Sequence, residues 1–217
     1  MEKVFLVGCG QHSNVVRYNM QVQGKYEPIG FLDSDDNKVG QYFNGLKVFA
    51  NYNNINISKI FQKYNTNKFF ISFGNMKYRK AVFEQFINAG GEAVNIFHPN
   101  AIISPDAKIG NGVLIECGCL ITPNPTIGDN VVVNTGSQVN HDNVVEDHVY
   151  IASGVVLSGG VKIGSNTLLD DGVIVTLGKS VGKNSLIGAG AIVTKSIGDN
   201  VVAYGIPAKP IRFNDNV

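Results

Sequence analysis

The segment IASGVVLSGGVKIGSNTLLDDGVIV, residues 151–175, places an aliphatic residue at every sixth position. This register holds without exception from Ile103 to Val193. Neither a helix, with a period of 3.6, nor a simple strand, with a period of 2, produces such a repeat. A fixed six-residue repeat is typical of a parallel β-helix, in which each coil stacks on the previous one. The aliphatic positions are Ile103, Ile109, Ile115, Ile121, Ile127, Val133, Val139, Val145, Ile151, Leu157, Ile163, Leu169, Val175, Val181, Ile187 and Val193.

Each six-residue unit is expected to form one short side of a triangular coil, so that three units make a coil of eighteen residues. The repeat then builds about five coils, joined by strands stacked roughly 4.8 Å apart. Turn-forming residues such as those of Gly110-Asn111-Gly112 and Gly164-Ser165-Asn166 separate the aliphatic positions. These residues tolerate the left-handed backbone conformations that sharp corners need. A bare structural rod is the alternative, but it requires neither a glycine-rich domain in front nor a polar coil that carries histidine.

The residues before the repeat indicate a small α/β domain with a parallel sheet. Residues 3–8 form a predicted strand, and residues 14–23 form a predicted helix. Further strands are expected at residues 27–32, 68–72 and 92–97, with a helix at residues 76–89. Strands that alternate with helices in this way are typical of a parallel sheet covered by helices.

A glycine turn, Gly8-Cys9-Gly10-Gln11-His12-Ser13, joins the first strand to its helix. Such a turn lets the backbone approach a phosphate, which the helix N-terminus attracts. The motif lacks the third glycine of the dinucleotide fingerprint, and an NAD-dependent dehydrogenase would also need a separate catalytic domain. A nucleotide-sugar pyrophosphate fits the same loop. Asp33 and Asp35, after the second strand, are candidates to contact a base or ribose, and a solvated turn is the alternative interpretation.

Composition excludes several classes of function. A net charge of +1 does not suggest binding to nucleic acid or to an acidic membrane surface. The hydrophobic runs are shorter than a membrane span, and the start of the chain does not resemble a signal peptide, so we expect a cytoplasmic protein without membrane insertion. The three cysteines are expected to be free thiols. No metal site is predicted, because the histidines are not spaced with the cysteines.

Several motifs, in a fixed order along the chain, resemble those of one family. They are VFLVGCGQHS at 4–13, GFLD at 30–33, FGN at 73–75 with Arg79, FHPNA at 97–101, VNT at 133–135, His141-Asp142 and GIPAK at 205–209. Together they resemble the family of bacterial hexapeptide-repeat sugar acyltransferases that contains sialic-acid O-acetyltransferases and bacillosamine N-acetyltransferases.

The resemblance implies a Rossmann-like domain at residues 1–98 that binds a nucleotide sugar. It implies a left-handed parallel β-helix with a C-terminal tail at residues 99–217. It also implies a homotrimer in which acetyl-CoA lies between neighbouring β-helices. The acetyl group would pass directly to the sugar, without a metal or an acyl-enzyme.

The resemblance also implies roles for individual residues. His141 is the expected catalytic base, since the ordinary pKa of histidine, about 6.5, suits proton removal at neutral pH. Asp142 would orient its imidazole, although the bacillosamine enzymes more often have Glu there. Tyr150 stands where those enzymes have a second histidine, and this departure suggests a different sugar or a different grip on it.

Two further groups of residues complete the expected site. Gly159 lies one coil after His141, and the family uses a backbone N–H at this position to contact the thioester oxygen. Acetyl-CoA is expected to contact Ser158, Gly159, Pro207, Ala208 and Lys209. The acceptor is expected to contact Gly8, Gly10, Gln11, His12, Ser13, Asp33, Asp35, Gly74, Asn75, Arg79, Asn134 and Tyr150.

Three functions remain open at this stage. The first is N-acetylation of the 4-amino group of a nucleotide-linked 4-amino-4,6-dideoxyhexose in surface-glycan biosynthesis. The second is O-acetylation of sialic acid or another sugar hydroxyl. The third is a non-catalytic trimeric scaffold that binds a nucleotide sugar. The intact His141 and the GIPAK tail argue against the scaffold.

Overall fold

A computed structural model describes residues 1–214 and divides the chain into two compact units, Met1–Ile96 and Phe97–Val217. The last three residues of the predicted second domain, 215–217, lie outside the described residues. The predicted combination of an α/β front domain and a β-helix is confirmed.

The front unit is a six-stranded sheet with helices between its strands. In chain order its elements are β1 (Glu2–Val7), α1 (His12–Gln23), β2 (Tyr26–Asp33), a 3₁₀ turn (Asp36–Lys38), β3 (Tyr42–Phe43), β4 (Leu46–Asn51), α2 (Ile57–Tyr64), β5 (Lys68–Ile71), α3 (Met76–Asn88) and β6 (Glu92–Ala93).

The strand order is β3-β4-β2-β1-β5-β6, and all pairs are parallel except β3 with β4. The chain therefore proceeds from β1 in one direction along the sheet and later returns to the other side of β1. The carboxyl ends of β1 and β5 flank the point at which the strand order reverses, which is where open α/β sheets bind ligands.

Local signals fix the helices of the front unit. Asn56 and Asn75 cap α2 and α3, each side chain accepting a hydrogen bond from a backbone N–H of the first turn. Gly24 ends α1 in the left-handed conformation. The β3–β4 hairpin was not predicted, although its turn, Asn44-Gly45, has positive φ at both residues and is a strong hairpin signal.

The second unit is a β-helix whose two-residue strands form three parallel sheets. The first face consists of Ile96–Phe97, Leu114–Ile115, Val132–Val133, Tyr150–Ile151, Leu168–Leu169, Leu186–Ile187 and Val201–Tyr204, with Lys209–Phe213 added antiparallel. The second face consists of Ile102–Ile103, Leu120–Ile121, Gln138–Val139, Val156–Leu157, Ile174–Val175 and Ile192–Val193. The third face consists of Lys108–Ile109, Thr126–Ile127, Val144–Val145, Lys162–Ile163 and Ser180–Val181.

From Ile96–Phe97 to Ile192–Val193, each strand pairs with the strand eighteen residues away, as the pair Val139 and Leu157 illustrates. The second residue of each strand points into the coil, and from Ile115 to Val193 all of these residues are buried in one continuous core. The first residue of each strand points outward, because side chains alternate along a strand. The six-residue register therefore predicted both the sheets and the core.

Truncating one inward side chain should destabilise the whole solenoid. Leu157 is fully buried, so Leu157→Ala leaves a cavity and should cost about 2–5 kcal/mol of stability. Thermal unfolding followed by circular dichroism should show a clearly lower Tm. The matched control is Val144→Ala, an outward and partly exposed position on the third face, for which we expect little change. Equal losses in the two variants would contradict the assignment of inward and outward positions.

Candidate active site

His141 and Asp142 form a hydrogen-bonded pair at one corner of the solenoid. They follow the strand Gln138–Val139, at the corner between the second and third faces. The His141 Nδ1 lies 2.9 Å from the Asp142 Oδ2, and both side chains are more than half exposed. Adjacent residues of a strand point to opposite sides, but Asp142 has a φ of 59°, in the left-handed region that Asp tolerates. The corner thus brings two neighbouring side chains together.

Asn124, one coil earlier, holds the other oxygen of this carboxylate. Its Nδ2 donates to Asp142 Oδ1 at 2.7 Å. Hydrogen bonds from His141 and Asn124 lower the pKa of Asp142, so the group is ionised at neutral pH and can only accept hydrogen bonds. The hydrogen shared with His141 therefore lies on Nδ1. In the neutral imidazole this leaves the lone pair on Nε2.

Gly159 lies directly beside that lone pair. A Cβ built on Gly159 would be 2.3 Å from His141 Nε2, so only glycine leaves room for the imidazole. The coils are tied together here, because Gly160 N–H donates to the His141 carbonyl and Gly178 N–H donates to the Gly159 carbonyl. Within residues 1–214 the Gly159 N–H donates no hydrogen bond. Gly159 therefore combines two features next to the imidazole lone pair, the lack of a side chain and a backbone N–H without a partner among the described residues.

Gly159→Ala should displace the His141 ring with little loss of stability, because the clash falls on an exposed side chain. We expect the imidazole signals of His141 to shift in a ¹⁵N-edited NMR spectrum. The control is Gly198→Ala, where an added Cβ meets no atom within 4 Å, and these signals should stay in place. Unchanged His141 signals in Gly159→Ala would contradict the contact.

The same corner position in the next two coils carries residues that the sequence analysis missed. We call the set His141, Gly159, Leu177 and Lys195 the catalytic-corner column. Leu177 is 69% exposed. It stands at the third position of its six-residue unit, and no other unit from Ile103 to Val193 has a bulky aliphatic residue at that position. The signal that could have found it is this break in a run of small or polar corner residues. Ser158, beside the column, is partly buried and donates its N–H to the Val175 carbonyl.

Asn134 and Tyr150 meet at a different corner, between the first and second faces. Asn134 Nδ2 donates to the Tyr150 hydroxyl oxygen at 3.1 Å. The two residues belong to successive coils, and each side chain is partly buried. Within a single chain, therefore, this pair and the His141–Asp142 pair lie at separate corners.

The C-terminal tail returns along the first face as the strand Lys209–Phe213. Ala208 is buried and its N–H donates to the Ile192 carbonyl, whereas Pro207 and Lys209 are exposed. The exposed Lys209 side chain is available to an anion in solvent.

A cavity of about 510 Å³ opens at the carboxyl ends of the front-domain strands, at the reversal of strand order. It contains four of the residues predicted to contact the acceptor: Gly8, Gly10, Asp33 and Asn75. A Cβ at Gly10 would meet nothing within 4 Å, so the loop leaves open space at this point. The remaining lining residues are Cys9, Ser34, Lys38, Tyr52, Asn53, Phe73, Tyr78, Ala81, Val82 and Gln85.

The residues of α3 that line the cavity were missed, although they carry a sequence signal. Tyr78, Ala81, Val82 and Gln85 follow the i, i+3, i+4, i+7 spacing of one helix face. That face directly follows the predicted strand end at Gly74-Asn75. Together with the strand order, the pattern places one side of α3 at the ligand-binding edge of the sheet.

Asp33 is a buried anchor of the cavity wall. Its carboxylate accepts hydrogen bonds from the backbone N–H groups of Cys9, at 2.7 Å, and Asp35, at 3.1 Å, and pairs with Lys38 at 3.3 Å. Burial raises the pKa of Asp33, but these hydrogen bonds and the Lys38 charge outweigh it, so the pKa is lowered. The interpretation as a solvated turn is therefore wrong for Asp33. Asp35 instead caps the 3₁₀ turn, accepting from Asn37 N–H.

Burial keeps the Cys9 thiol neutral. Burial and then the hydrogen bond to Asp33 raise the pKa of Cys9 to about 12. A thiol is nucleophilic only as the thiolate, so Cys9 has no nucleophilic role at neutral pH.

Other predicted contact residues lie in or behind the loop rather than in the cavity lining. Burial and then the nearby Arg79 charge lower the pKa of His12 to about 4, so His12 is neutral at pH 7. Ser13 Oγ donates to the Gly10 carbonyl. Gln11 is exposed, and neither Gln11 nor Gly74 is among the lining residues.

Arg79 occupies a different position from that expected of a substrate contact. It is 1% exposed, and its Nη1 donates to the carbonyls of Ile71 and Phe73. The Nη1 group thus binds the backbone at the end of β5. It therefore shapes the cavity from behind.

Within residues 1–214, no group of His, Cys, Asp and Glu residues is arranged to hold a metal ion. No helix of this part of the chain is long and apolar enough to cross a membrane.

The front unit matches a known family. Residues 3–86 match the PglD N-terminal domain. Among curated protein sequences, no significant match is found.

Solved structures resemble the whole chain. A histidine-to-alanine variant of GDP-perosamine N-acetyltransferase from Caulobacter crescentus, in complex with CoA and GDP-perosamine, superposes with a TM-score of 0.90 at 26% identity, covering 98% of both chains. The acetyltransferase domain of PglB from Neisseria gonorrhoeae, in complex with acetyl coenzyme A, superposes with a TM-score of 0.85 at 27% identity, covering 97% of this chain and 99% of that one. WeeI from Acinetobacter baumannii, at 23% identity and a TM-score of 0.82, shares the fold, covering 97% of this chain and all of its own.

The resemblance expected from the motifs is confirmed by the match of the front domain and by the structural agreement over the full length of the chain. The chain thus carries a PglD-type N-terminal domain in front of a six-residue solenoid, and over its full length it is similar to solved sugar acetyltransferases of the hexapeptide-repeat type.

Proposed function

We propose that this protein transfers the acetyl group of acetyl-CoA to the 4-amino group of a nucleotide-linked 4-amino-4,6-dideoxyhexose. The observation that carries the proposal is the His141–Asp142 pair with Gly159 packed beside Nε2. The similar enzyme from Caulobacter, solved with CoA and GDP-perosamine, supports a nucleotide-linked amino sugar as the acceptor. The similar PglB domain, solved with acetyl coenzyme A, supports the donor.

His141 is the proposed general base of a direct transfer. The amine nitrogen attacks the thioester carbonyl carbon, the new C–N bond forms, and His141 Nε2 takes the proton from the nitrogen. The C–S bond then breaks, and the departing CoA sulfur takes the proton from the His141 imidazolium, so that CoA leaves as its thiol and His141 returns to the neutral form. Asp142 keeps the hydrogen on Nδ1 and stabilises the imidazolium that forms.

Gly159 is proposed to stabilise the negative charge that develops on the thioester oxygen. Its N–H makes no hydrogen bond within the described chain and is therefore available to an oxyanion. The same residue must lack a side chain to admit the imidazole. One glycine thus fixes the distance between the base and the oxyanion donor.

The donor is proposed to run along the catalytic-corner column towards the C-terminus. In that direction the column offers apolar surface at Leu177 and positive charge at Lys195, and Lys209 lies exposed in the tail. These features suit a thioester arm followed by phosphates. Ser158, Pro207 and Ala208 are proposed to line the same groove.

The front cavity is proposed to hold the nucleotide. It lies at the strand-order reversal, contains Gly8, Gly10 and Asn75, and has the aromatic rings of Phe73 and Tyr78 in its wall. Because His12 is neutral at pH 7, it would contribute a hydrogen bond to a phosphate rather than a charge.

A homotrimer is proposed to complete the site. The Asn134–Tyr150 pair and His141 occupy separate corners of one chain, so a neighbouring copy can bring a second corner to the first. The outward residues of the second face are mostly apolar: Ile102, Leu120, Val156, Ile174 and Ile192, interrupted by Gln138. Those of the third face are mainly polar, namely Lys108, Thr126, Lys162 and Ser180 with Val144. This asymmetry favours burial of the second face against another copy.

Loss of the base should reduce turnover without preventing binding. We expect His141→Ala to lower kcat by about 10²-fold with an amine acceptor, at the lower end of the range for general-base catalysis. Calorimetry should show that CoA still binds to this variant. The control, Lys183→Ala at an exposed corner on the far side of the coil, should keep full activity. Retention of most of kcat/KM in His141→Ala would exclude the general-base role.

The acceptor can be identified by release of CoA thiol, followed with a thiol reagent, against a panel of sugars. The panel contains UDP-, dTDP- and GDP-linked 4-amino-4,6-dideoxyhexoses together with free and CMP-linked sialic acid. We expect turnover with one nucleotide-linked amino sugar only. Turnover with sialic acid alone would assign O-acetylation. No turnover with any sugar of the panel, combined with failure to bind acetyl-CoA, would indicate a non-catalytic scaffold.

A further inference from the structure

Glu116 and Asn134 occupy equivalent positions on successive coils, at the corner between the first and second faces. The strands that precede them pair in register, Leu114 with Val132 and Ile115 with Val133. Glu116 N–H donates to the Val133 carbonyl at 3.0 Å. The two side chains therefore leave the backbone one above the other, with strands about 4.8 Å apart.

Each of these two side chains has one buried acceptor atom that lacks a hydrogen-bond partner within the described residues. These atoms are Glu116 Oε1 and Asn134 Oδ1. The other end of each side chain is occupied, because Glu116 Oε2 accepts from Thr135 Oγ1 at 2.7 Å and Asn134 Nδ2 donates to Tyr150. A buried acceptor that lacks a donor is costly, and two such atoms at neighbouring positions call for a shared explanation.

One proton satisfies both atoms. We infer that Glu116 is protonated in the folded protein and donates from Oε1 to Asn134 Oδ1. Glu116 is then a positioning residue that fixes the Asn134 carboxamide and, through it, the Tyr150 hydroxyl. The role of the Asn134 carboxamide and the Tyr150 hydroxyl in binding the acceptor rests on the proposed function, whereas the protonation of Glu116 does not.

The surroundings of Glu116 favour the neutral acid. The residue is 5% exposed, and burial raises its pKa above the ordinary value, although Thr135 and His98 act in the opposite direction. The His98 Nδ1 accepts the Asn100 N–H at 3.0 Å, so this nitrogen does not donate to Glu116. Cys119, the other titratable neighbour, is neutral, since burial raises its pKa to about 11.

The direction of the Asn134 amide follows from this proton. An ionised Glu116 could only accept, so the amide would have to turn its nitrogen towards Glu116 and its oxygen towards Tyr150. In the observed arrangement the nitrogen faces Tyr150 instead. The Tyr150 oxygen thus accepts from Asn134, and its O–H must donate in another direction. The protonation state of Glu116 therefore decides which polar atoms this corner presents.

Infrared spectroscopy of the intact wild-type protein tests the proton directly. At pH 7 we expect the C=O stretching band of a protonated carboxylic acid, absent from Glu116→Gln. The matched control is Asp170→Asn, at the same corner position three coils after Glu116 but partly exposed, which should keep the band. A wild-type spectrum without the band, or a band that survives in Glu116→Gln, would overturn the inference.

Stability gives a second readout that is independent of activity. A raised folded-state pKa stabilises the fold only at low pH, and this contribution is lost as the pH rises towards that pKa. The Tm of Glu116→Gln should therefore equal that of the wild type below pH ~4, the range in which an ordinary glutamate is protonated. Above that pH, the Tm of Glu116→Gln should exceed the Tm of the wild type by an amount that grows with pH. A parallel pair of curves would contradict a buried neutral acid.

Kinetics then separates positioning from mere packing. Glutamine keeps a donor for Asn134 Oδ1, so Glu116→Gln should retain acceptor KM and kcat. Its activity should also fall less steeply than that of the wild type on the alkaline side of the pH profile. Glu116→Ala should raise acceptor KM by about 3- to 10-fold, the effect of one lost hydrogen bond, with the KM of acetyl-CoA unchanged. Equal losses in the Gln and Ala variants would refute the positioning role. If the wild type acetylates no amino sugar, the proposed function fails while the infrared and stability readouts still decide the proton.

Discussion

The stacking of backbone amides at a spacing of eighteen residues is the constraint on which the rest of the solenoid depends. Neighbouring coils are hydrogen-bonded through both strands and corners, and at the corners the later coil donates to the earlier one, as Gly160 does to His141 and Gly178 does to Gly159. A residue's position in the repeat therefore determines its neighbour above and below. Chemistry on this scaffold is arranged in columns along the axis, and a change of one residue in length would move every later side chain out of its column.

This constraint explains why the sequence predicted the solenoid so completely. The aliphatic register identified the inward position of each strand between Ile103 and Val193, and the spacing alone placed Gly159 beside His141. The front domain was less predictable, because its short hairpin and α2 carry no long periodic pattern. Its cavity was predicted from the glycine loop only in part, since the α3 face follows helical spacing that becomes informative once the strand order is known.

Side-chain environment was the part that sequence could not provide. Asp33 and Arg79 stand in motifs shared with a ligand-binding family, yet both are buried and bonded to the backbone of neighbouring strands and loops. A polar residue near a ligand site can hold the wall or touch the ligand, and the sequence motif is the same in either case. Glu116 went unnoticed for the related reason that its importance lies in burial and in an acceptor without a donor.

The geometry of the His141 corner lets the short side chain of Asp142 reach the imidazole, a contact for which the longer side chain of glutamate was expected. Asp142 adopts a left-handed conformation, which turns its side chain back towards the preceding residue, and Asn124 fixes the carboxylate from the coil below. In an extended strand the same two residues would point apart. The reach that aspartate lacks is thus supplied by the backbone of the corner. The corner itself exists because the six-residue repeat demands a turn at that position, so the register that builds the fold also orients the proposed base.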